Sequence, residues 1–237
     1  VTLVVQILGA STLKLSRIGE GDCIEDIVGP LGEPSELISL SDTELKNKKI
    51  LFVAGGVGVA PVFPQVKFLS ERGAKCDVII GARNKSLVIM EDEMKKYAAN
   101  VYICTDDGSY GFKGLVTGKL SKLVASGNNY DVCVAIGPVV MMKFVSLLTK
   151  ELGIRQIVSM NPIMVDGTGM CGACRLTVGG EVKFACVDGP EFDGHMVDFD
   201  ECMKRLTLYK SEEGRAFLKE TEGKTHHGGC GVCGGGD

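Results

Sequence analysis

Three cysteines stand close together in the spacing Cys171-x2-Cys174-x11-Cys186, and Asp166 precedes the first of them by an x4 interval. This is the spacing of plant-type [2Fe-2S] sites, Cys-x4-Cys-x2-Cys with a distant fourth cysteine, except that the first position is a carboxylate. Gly167, Gly169 and Gly172 let the chain wrap its ligands around a small cluster. The segments Arg175 to Val178 and Glu181 to Ala185, joined by Gly179-Gly180, predict a hairpin that returns Cys186 to the site. A zinc site with Asp or His as fourth ligand, three structural cysteines, and an Asp166 that is only a turn residue are the alternatives.

A second constellation is Gly55-Gly56-Val57-Gly58-Val59-Ala60-Pro61, directly after an apolar segment and leading into a helix. Glycines there let backbone amides approach a pyrophosphate, the helix N-terminus favours negative charge, and Pro61 suits a first helical turn. The run is neither Gly-x-Gly-x-x-Gly nor a P-loop, and a tight strand-to-helix turn is its plain alternative.

Both constellations must be positioned by the rest of the chain. Residues 1–46 alternate short apolar segments with turns and predict a β-rich piece, the end of a barrel that begins upstream. From Lys49 the pattern is strand-then-helix: strands at 50–54, 76–80, 101–105 and 131–136 alternate with helices at 61–72, 90–98, 118–126 and 139–152. Val62, Val66, Phe68 and Leu69 form the apolar side of the first helix. Such alternation specifies an α/β domain over 47–157, a parallel sheet with helices on both faces. A turn-rich cysteine segment follows over 158–197, then an amphipathic charged stretch and a Gly-rich tail over 198–237.

The chain has 237 residues, a net charge of -4 and no apolar run near the roughly 20 residues of a membrane helix. That balance disfavours nucleic acid or anionic lipid as partner, and a cytoplasmic protein with reduced thiols is expected. Cys23, Cys76, Cys104, Cys133 and Cys202 lie in apolar surroundings as small hydrophobes. His195 is expected on a surface turn.

The glycine motif resembles the pyrophosphate motif of the ferredoxin-NADP reductase superfamily, whose members join a flavin-binding barrel to a nicotinamide-binding α/β domain. Gly81-Ala82-Arg83-Asn84-Lys85, Thr105-Asp106-Asp107-Gly108-Ser109-Tyr110-Gly111 and Gly137-Pro138-Val139-Val140-Met141-Met142 follow in the superfamily's order. The resemblance implies that Arg83 and Asp106 lie near the adenosine half of NAD(H), and Gly137 and Pro138 near the nicotinamide. Ile136 departs from the Cys that many members carry before this glycine. Arg83 and Lys85 would suit a 2′-phosphate, Asp106 and Asp107 would repel one, and the resemblance favours NADH.

With the cysteine segment included, residues 1–210 resemble the electron-transfer subunits of dihydroorotate dehydrogenases and, more closely, the small subunits of NADH-dependent ferredoxin:NADP oxidoreductases. Asp166 discriminates, because the dihydroorotate type has Cys there. The resemblance implies FAD, with Gly9 to Thr12 and Gly29 to Gly32 near its phosphates, although the upstream flavin-gripping motif does not occur in this chain. It also implies a larger redox subunit as partner and ferredoxin reached through it. Sulfide dehydrogenase and glutamate synthase complexes are related alternatives. A non-catalytic metal or redox sensor is a different class of reading, suggested by His226, His227, Cys230 and Cys233.

Overall fold

The computed structural model describes residues 2–223. In chain order the elements are α1 (Ala10–Leu15), α2 (Asp42–Asn47), β1 (Lys49–Gly55), α3 (Val59–Glu71), β2 (Lys75–Ala82), α4 (Glu91–Lys95), β3 (Asn100–Thr105) and β4 (Phe112–Lys113). There follow α5 (Val116–Ala125), β5 (Val132–Ile136), α6 (Val139–Glu151), β6 (Arg155–Ser159), β7 (Arg175–Val178), β8 (Glu181–Phe184), β9 (Glu191–Asp193), α7 (Phe199–Arg205) and α8 (Lys210–Glu222). They form two units, residues 29–205 and the two ends of the chain.

In the larger unit the sheet runs β4-β3-β2-β1-β5-β6-β9, parallel except for β9 at the edge. Ile50 to Ala54 of β1 are fully buried, as a central strand covered on both faces requires. Ile50, Phe52 and Ala54 face a cluster with Val62, Val66 and Leu69 of α3 and Met94 of α4. By strand alternation Leu51 and Val53 face the opposite side, where α5 packs on α6. Helices therefore cover both faces.

The helix α2 begins with a capping box: the Glu44 N–H donates to Ser41 Oγ, and the Ser41 N–H donates to Glu44 Oε2 at 2.8 Å. The hairpin β7–β8 turns on Gly179 and Gly180 at φ 61° and 84°, left-handed values that suit a two-residue turn.

Several expectations need correction. Among the described residues before Lys49 there is no strand, and the expected β-rich opening is instead α1, a short 3-10 turn at Glu36–Ser39 and α2. A strand needs a neighbour to take its hydrogen bonds, and among the described residues no strand pairs with residues 2–8. Phe68, expected on the apolar side of α3, is 42% exposed and lies under the Arg72 guanidinium. The helix expected at 90–98 is shortened to Glu91–Lys95. Strands β4, β6 and β9 were not expected: β4 has two residues, β6 follows the turn after α6, and β9 joins the sheet from beyond the cysteine segment.

In the unit formed by the chain ends, α1 packs on α8, and Lys14 and Arg17 pair with Glu220. Its apolar residues Leu3, Val4, Ile7 and Leu8 are exposed.

Phe52 fills the centre of the core, whereas Phe68 lies on the surface. Phe52→Ala should cost about 3–5 kcal/mol and Phe68→Ala less than about 1 kcal/mol in urea unfolding, so equal losses would contradict this packing.

Candidate functional site

The strand order reverses between β1 and β5: from β1 the chain moves outward through β2, β3 and β4, and from β5 it moves the other way to β6. The crossover helices after β1 and β5 leave on opposite faces, which opens a crevice at the carboxyl ends of these two strands. Gly55 ends β1 there with Gly56 and Gly58 just after it, and Gly137 and Pro138 follow β5.

The two turns touch through their glycines. A Cβ on Gly137 would stand 3.0 Å from Gly55 Cα, and one on Gly55 would stand 2.9 Å from the Pro138 ring. A Cβ on Gly58 would collide with the Ile136 carbonyl. Gly56 differs: its φ is 54° and the place of its Cβ is open. Gly55, Gly58 and Gly137 therefore serve the close approach of the two turns, while Gly56 presents bare backbone outward. Pro61 is the third residue of α3. The open backbone at Gly56, beside the N-terminus of a 13-residue helix, fits a pyrophosphate.

Further along the same edge, Arg83 after β2 and Asp106 after β3 are exposed and lie on adjoining turns. The Asp106 N–H donates to the Ala82 carbonyl at 3.1 Å, and the Asp107 N–H donates to the Arg83 carbonyl. The Ser109 hydroxyl and N–H both donate to Asp107 Oδ1 and hold its carboxyl below the usual range. A cleft of about 280 Å³ opens nearby between Lys85, Met90, Glu91 and Tyr110, with Lys85 Nζ over the Tyr110 ring.

The cysteine loop lies between β6 and β7. Cys174 and Cys186 are buried with their sulfurs 3.3 Å apart, close to the ~3.8 Å expected of two thiolates on one tetrahedral metal. Burial pushes the Cys186 thiol up, as does the hydrogen bond from Cys174, and the Gly169 N–H pulls it down. Cys171 and Asp166 are exposed and form a second pair: the Cys171 N–H donates to Asp166 Oδ2 at 2.8 Å. Asp166 Oδ1 accepts from the Thr168 N–H and hydroxyl, and these bonds hold its carboxyl below the usual range, the Thr168 N–H most of all.

Among the described residues no three of Asp166, Cys171, Cys174 and Cys186 stand in one metal-holding group. The loop instead presents two ligand pairs. A buried pair of sulfurs, with a backbone N–H turned toward one of them, fits an iron–sulfur group in chemistry.

Sequence reasoning missed two contacts of this loop. A Cβ on Gly167 would stand 2.7 Å from Leu31 Cδ1, and one on Gly32 would collide with the Gly189 carbonyl, so the turn Gly29 to Gly32 packs on the loop. Arg205 of α7 donates through Nη2 to the Ala173 carbonyl at 3.1 Å. Neither partner is marked by a motif; both arise from tertiary packing alone.

Thr12 caps α1: its hydroxyl donates to the Gly9 carbonyl and accepts from the Leu8 and Gly9 N–H groups. His195 is half-buried rather than on the surface, with Nε2 3.1 Å from the Thr149 hydroxyl. Thr149 in turn donates to Gln156 Oε1, which ties the histidine to β6. His226, His227, Cys230 and Cys233 lie outside the described residues.

Residues 52–147 match the oxidoreductase NAD-binding domain, and residues 161–198 match the iron–sulfur cluster binding domain of dihydroorotate dehydrogenase B. The chain is 50% identical over 211 residues to a dihydroorotate dehydrogenase B (NAD(+)) electron transfer subunit homolog of Thermotoga maritima, covering 89% of this chain and 72% of that protein. It is 60% identical over 236 residues to a Clostridium beijerinckii protein of the adh 3′ region, covering 99% and 80%. It also superposes on a chain of the NADH-dependent reduced ferredoxin-NADP oxidoreductase with a TM-score of 0.82 and 47% identity, covering 91% and 74%. An NAD-binding oxidoreductase sheet followed by an iron–sulfur binding segment thus places this chain in the family of dihydroorotate dehydrogenase B electron-transfer subunits and their homologues.

Proposed function

We propose that the chain passes electrons between NAD(H), FAD and a [2Fe-2S] cluster, and from there to a larger redox subunit. The observation that carries the reading is the paired sulfurs of Cys174 and Cys186, held at 3.3 Å beneath a loop that packs on the turn Gly29 to Gly32. Resemblance gives that turn to the flavin side, so flavin and cluster ligands would share one packed region. Cys171 and Asp166 would complete the ligand set.

A nicotinamide delivers two electrons together and an iron–sulfur centre takes them singly, which is the conversion a flavin supplies when bound. The chain's own residues bind and orient. Gly56 offers backbone to the pyrophosphate, Gly55 and Gly137 keep the crevice narrow, and Pro138 would border the nicotinamide. Arg83 and Asp106 would flank the adenosine. Asp166 shapes its loop through the Thr168 and Cys171 N–H groups.

The relatives' names support an assembly role, since they denote electron-transfer subunits. Asp166, where the dihydroorotate type has Cys, favours the partner type of the NADH-dependent reduced ferredoxin-NADP oxidoreductase, to one chain of which this chain is also similar.

The purified holoprotein should show flavin and iron–sulfur absorption and a cluster EPR signal on reduction with NADH, and Cys186→Ser should lose the EPR signal. Retention of the signal in that variant would remove Cys186 from the ligand set. Gly56→Val should weaken NADH binding about tenfold and also lower the unfolding midpoint, because a β-branched residue is strained at φ 54°, whereas Gly58→Val should lower the midpoint because its side chain meets the Ile136 carbonyl. Asp166→Cys should keep the cluster and shift its potential and EPR spectrum, as a soft sulfur replaces a hard oxygen. An unchanged spectrum would assign Asp166 to the loop alone.

A further inference from the structure

Glu191 opens β9, opposite Ser159 at the carboxyl end of β6. Gln65 lies in the second turn of α3, the helix that starts at the glycine cradle. The Gln65 amide donates through Nε2 to Glu191 Oε1 at 3.0 Å. The two remaining oxygens, Gln65 Oε1 and Glu191 Oε2, are buried and have no hydrogen-bond partner. Two acceptors left bare in the same side-chain pair cost several hydrogen bonds' worth of desolvation.

One proton removes both faults. A carboxylic acid and a primary amide pair through two parallel bonds, N–H to one carboxyl oxygen and O–H to the amide oxygen. We propose that Glu191 carries a proton in the working protein and forms such a double bond pair with Gln65, fixing α3 and its cradle to the strand that leaves the cysteine loop. Glu191 is then a positioning residue for the nucleotide turn, on the strand five residues beyond Cys186 and joined to the helix that starts at that turn.

The surroundings act in both directions. Burial pushes the Glu191 carboxyl up, the Ser35 hydroxyl and the Gln65 amide pull it down, and the like charge of Glu36 pushes it up again. Glu36 is itself paired with Arg155. A carboxyl raised on folding lends stability that is complete below the ordinary carboxylate range and is lost as pH rises through its folded pKa. Ionisation would break the O–H bond and loosen α3 at its second turn.

Two measurements on the full chain test this. Infrared spectra of the wild type at neutral pH should contain a protonated-carboxyl band that is missing from Glu191→Gln; a wild type without the band overturns the proposal, whether or not the variant folds. The Gln variant keeps both bonds as an amide–amide pair and cannot titrate. NADH affinity of the wild type should therefore fall roughly three- to tenfold as pH rises through the titration, the size of one lost hydrogen bond, while that of Glu191→Gln stays flat. Parallel profiles would overturn the positioning role. The cradle role rests on the proposed NADH site, and if neither protein binds NADH that reading fails while the infrared band still decides the protonation.

Discussion

The contact on which the site depends is the approach of two backbones at the sheet's reversal point. A Cβ on Gly137 would meet Met141 and the Gly55 backbone, one on Gly55 would meet Met141 and Pro138, and one on Gly58 would meet the Ile136 carbonyl at the end of β5. Parallel strands are about 4.8 Å apart, and glycine at facing positions lets two neighbouring turns approach more closely. Gly55 and Gly137 do this here, beside the Pro138 and Met141 side chains. Of the glycines in these two turns only Gly56 has open space at its Cβ position. Three glycines in the run after β1 thus answer to protein packing or to ligand access, and the same letters in the sequence serve two purposes.

The α/β core was legible because its signals are local. Ile50 to Ala54 and Val132 to Ile136 are continuous apolar runs, which a parallel strand buried on both faces demands. The hairpin around Gly179 and Gly180 was legible for the same reason, since two consecutive left-handed residues in such a turn favour Asn-Gly, Asp-Gly or Gly-Gly. Phe68 was misplaced because a helical period tolerates a residue at the margin of the apolar stripe, and an Arg72 one turn later can cover its ring. Residues 2–8 read as a strand from composition, but a strand is a property of a pair, and the neighbour is not written in the segment itself.

The site was less legible than the fold. Spacing alone named Cys171, Cys174, Cys186 and Asp166, yet it did not show that they divide into a buried sulfur pair and an exposed pair joined by a backbone hydrogen bond. It gave no sign of Leu31 and Gly32 against the loop, of Arg205 on the Ala173 carbonyl, or of Glu191 beside Gln65. Each of these joins residues at least 30 positions apart, so no local period or motif encodes them. The antiparallel strand β9 explains why they occur at all: it returns the chain from the cysteine loop to the edge of the main sheet and so draws the loop's far end against α3 and the turn before α2.

Asp166, proposed above as a ligand, has a structural part in its loop. Its two oxygens accept from the Thr168 N–H, the Thr168 hydroxyl and the Cys171 N–H, so the loop is closed by the chain's own donors. A thiolate at this position would accept the same bonds more weakly. The left-handed glycines Gly167, Gly169 and Gly172 supply the turns, and the carboxylate fixes them in register. A loop organised this way loses less conformational entropy when it closes on a cluster than one that must order itself around the metal. The carboxylate at this position thereby fixes the shape of its own loop through three of the chain's donors, whatever the loop comes to hold.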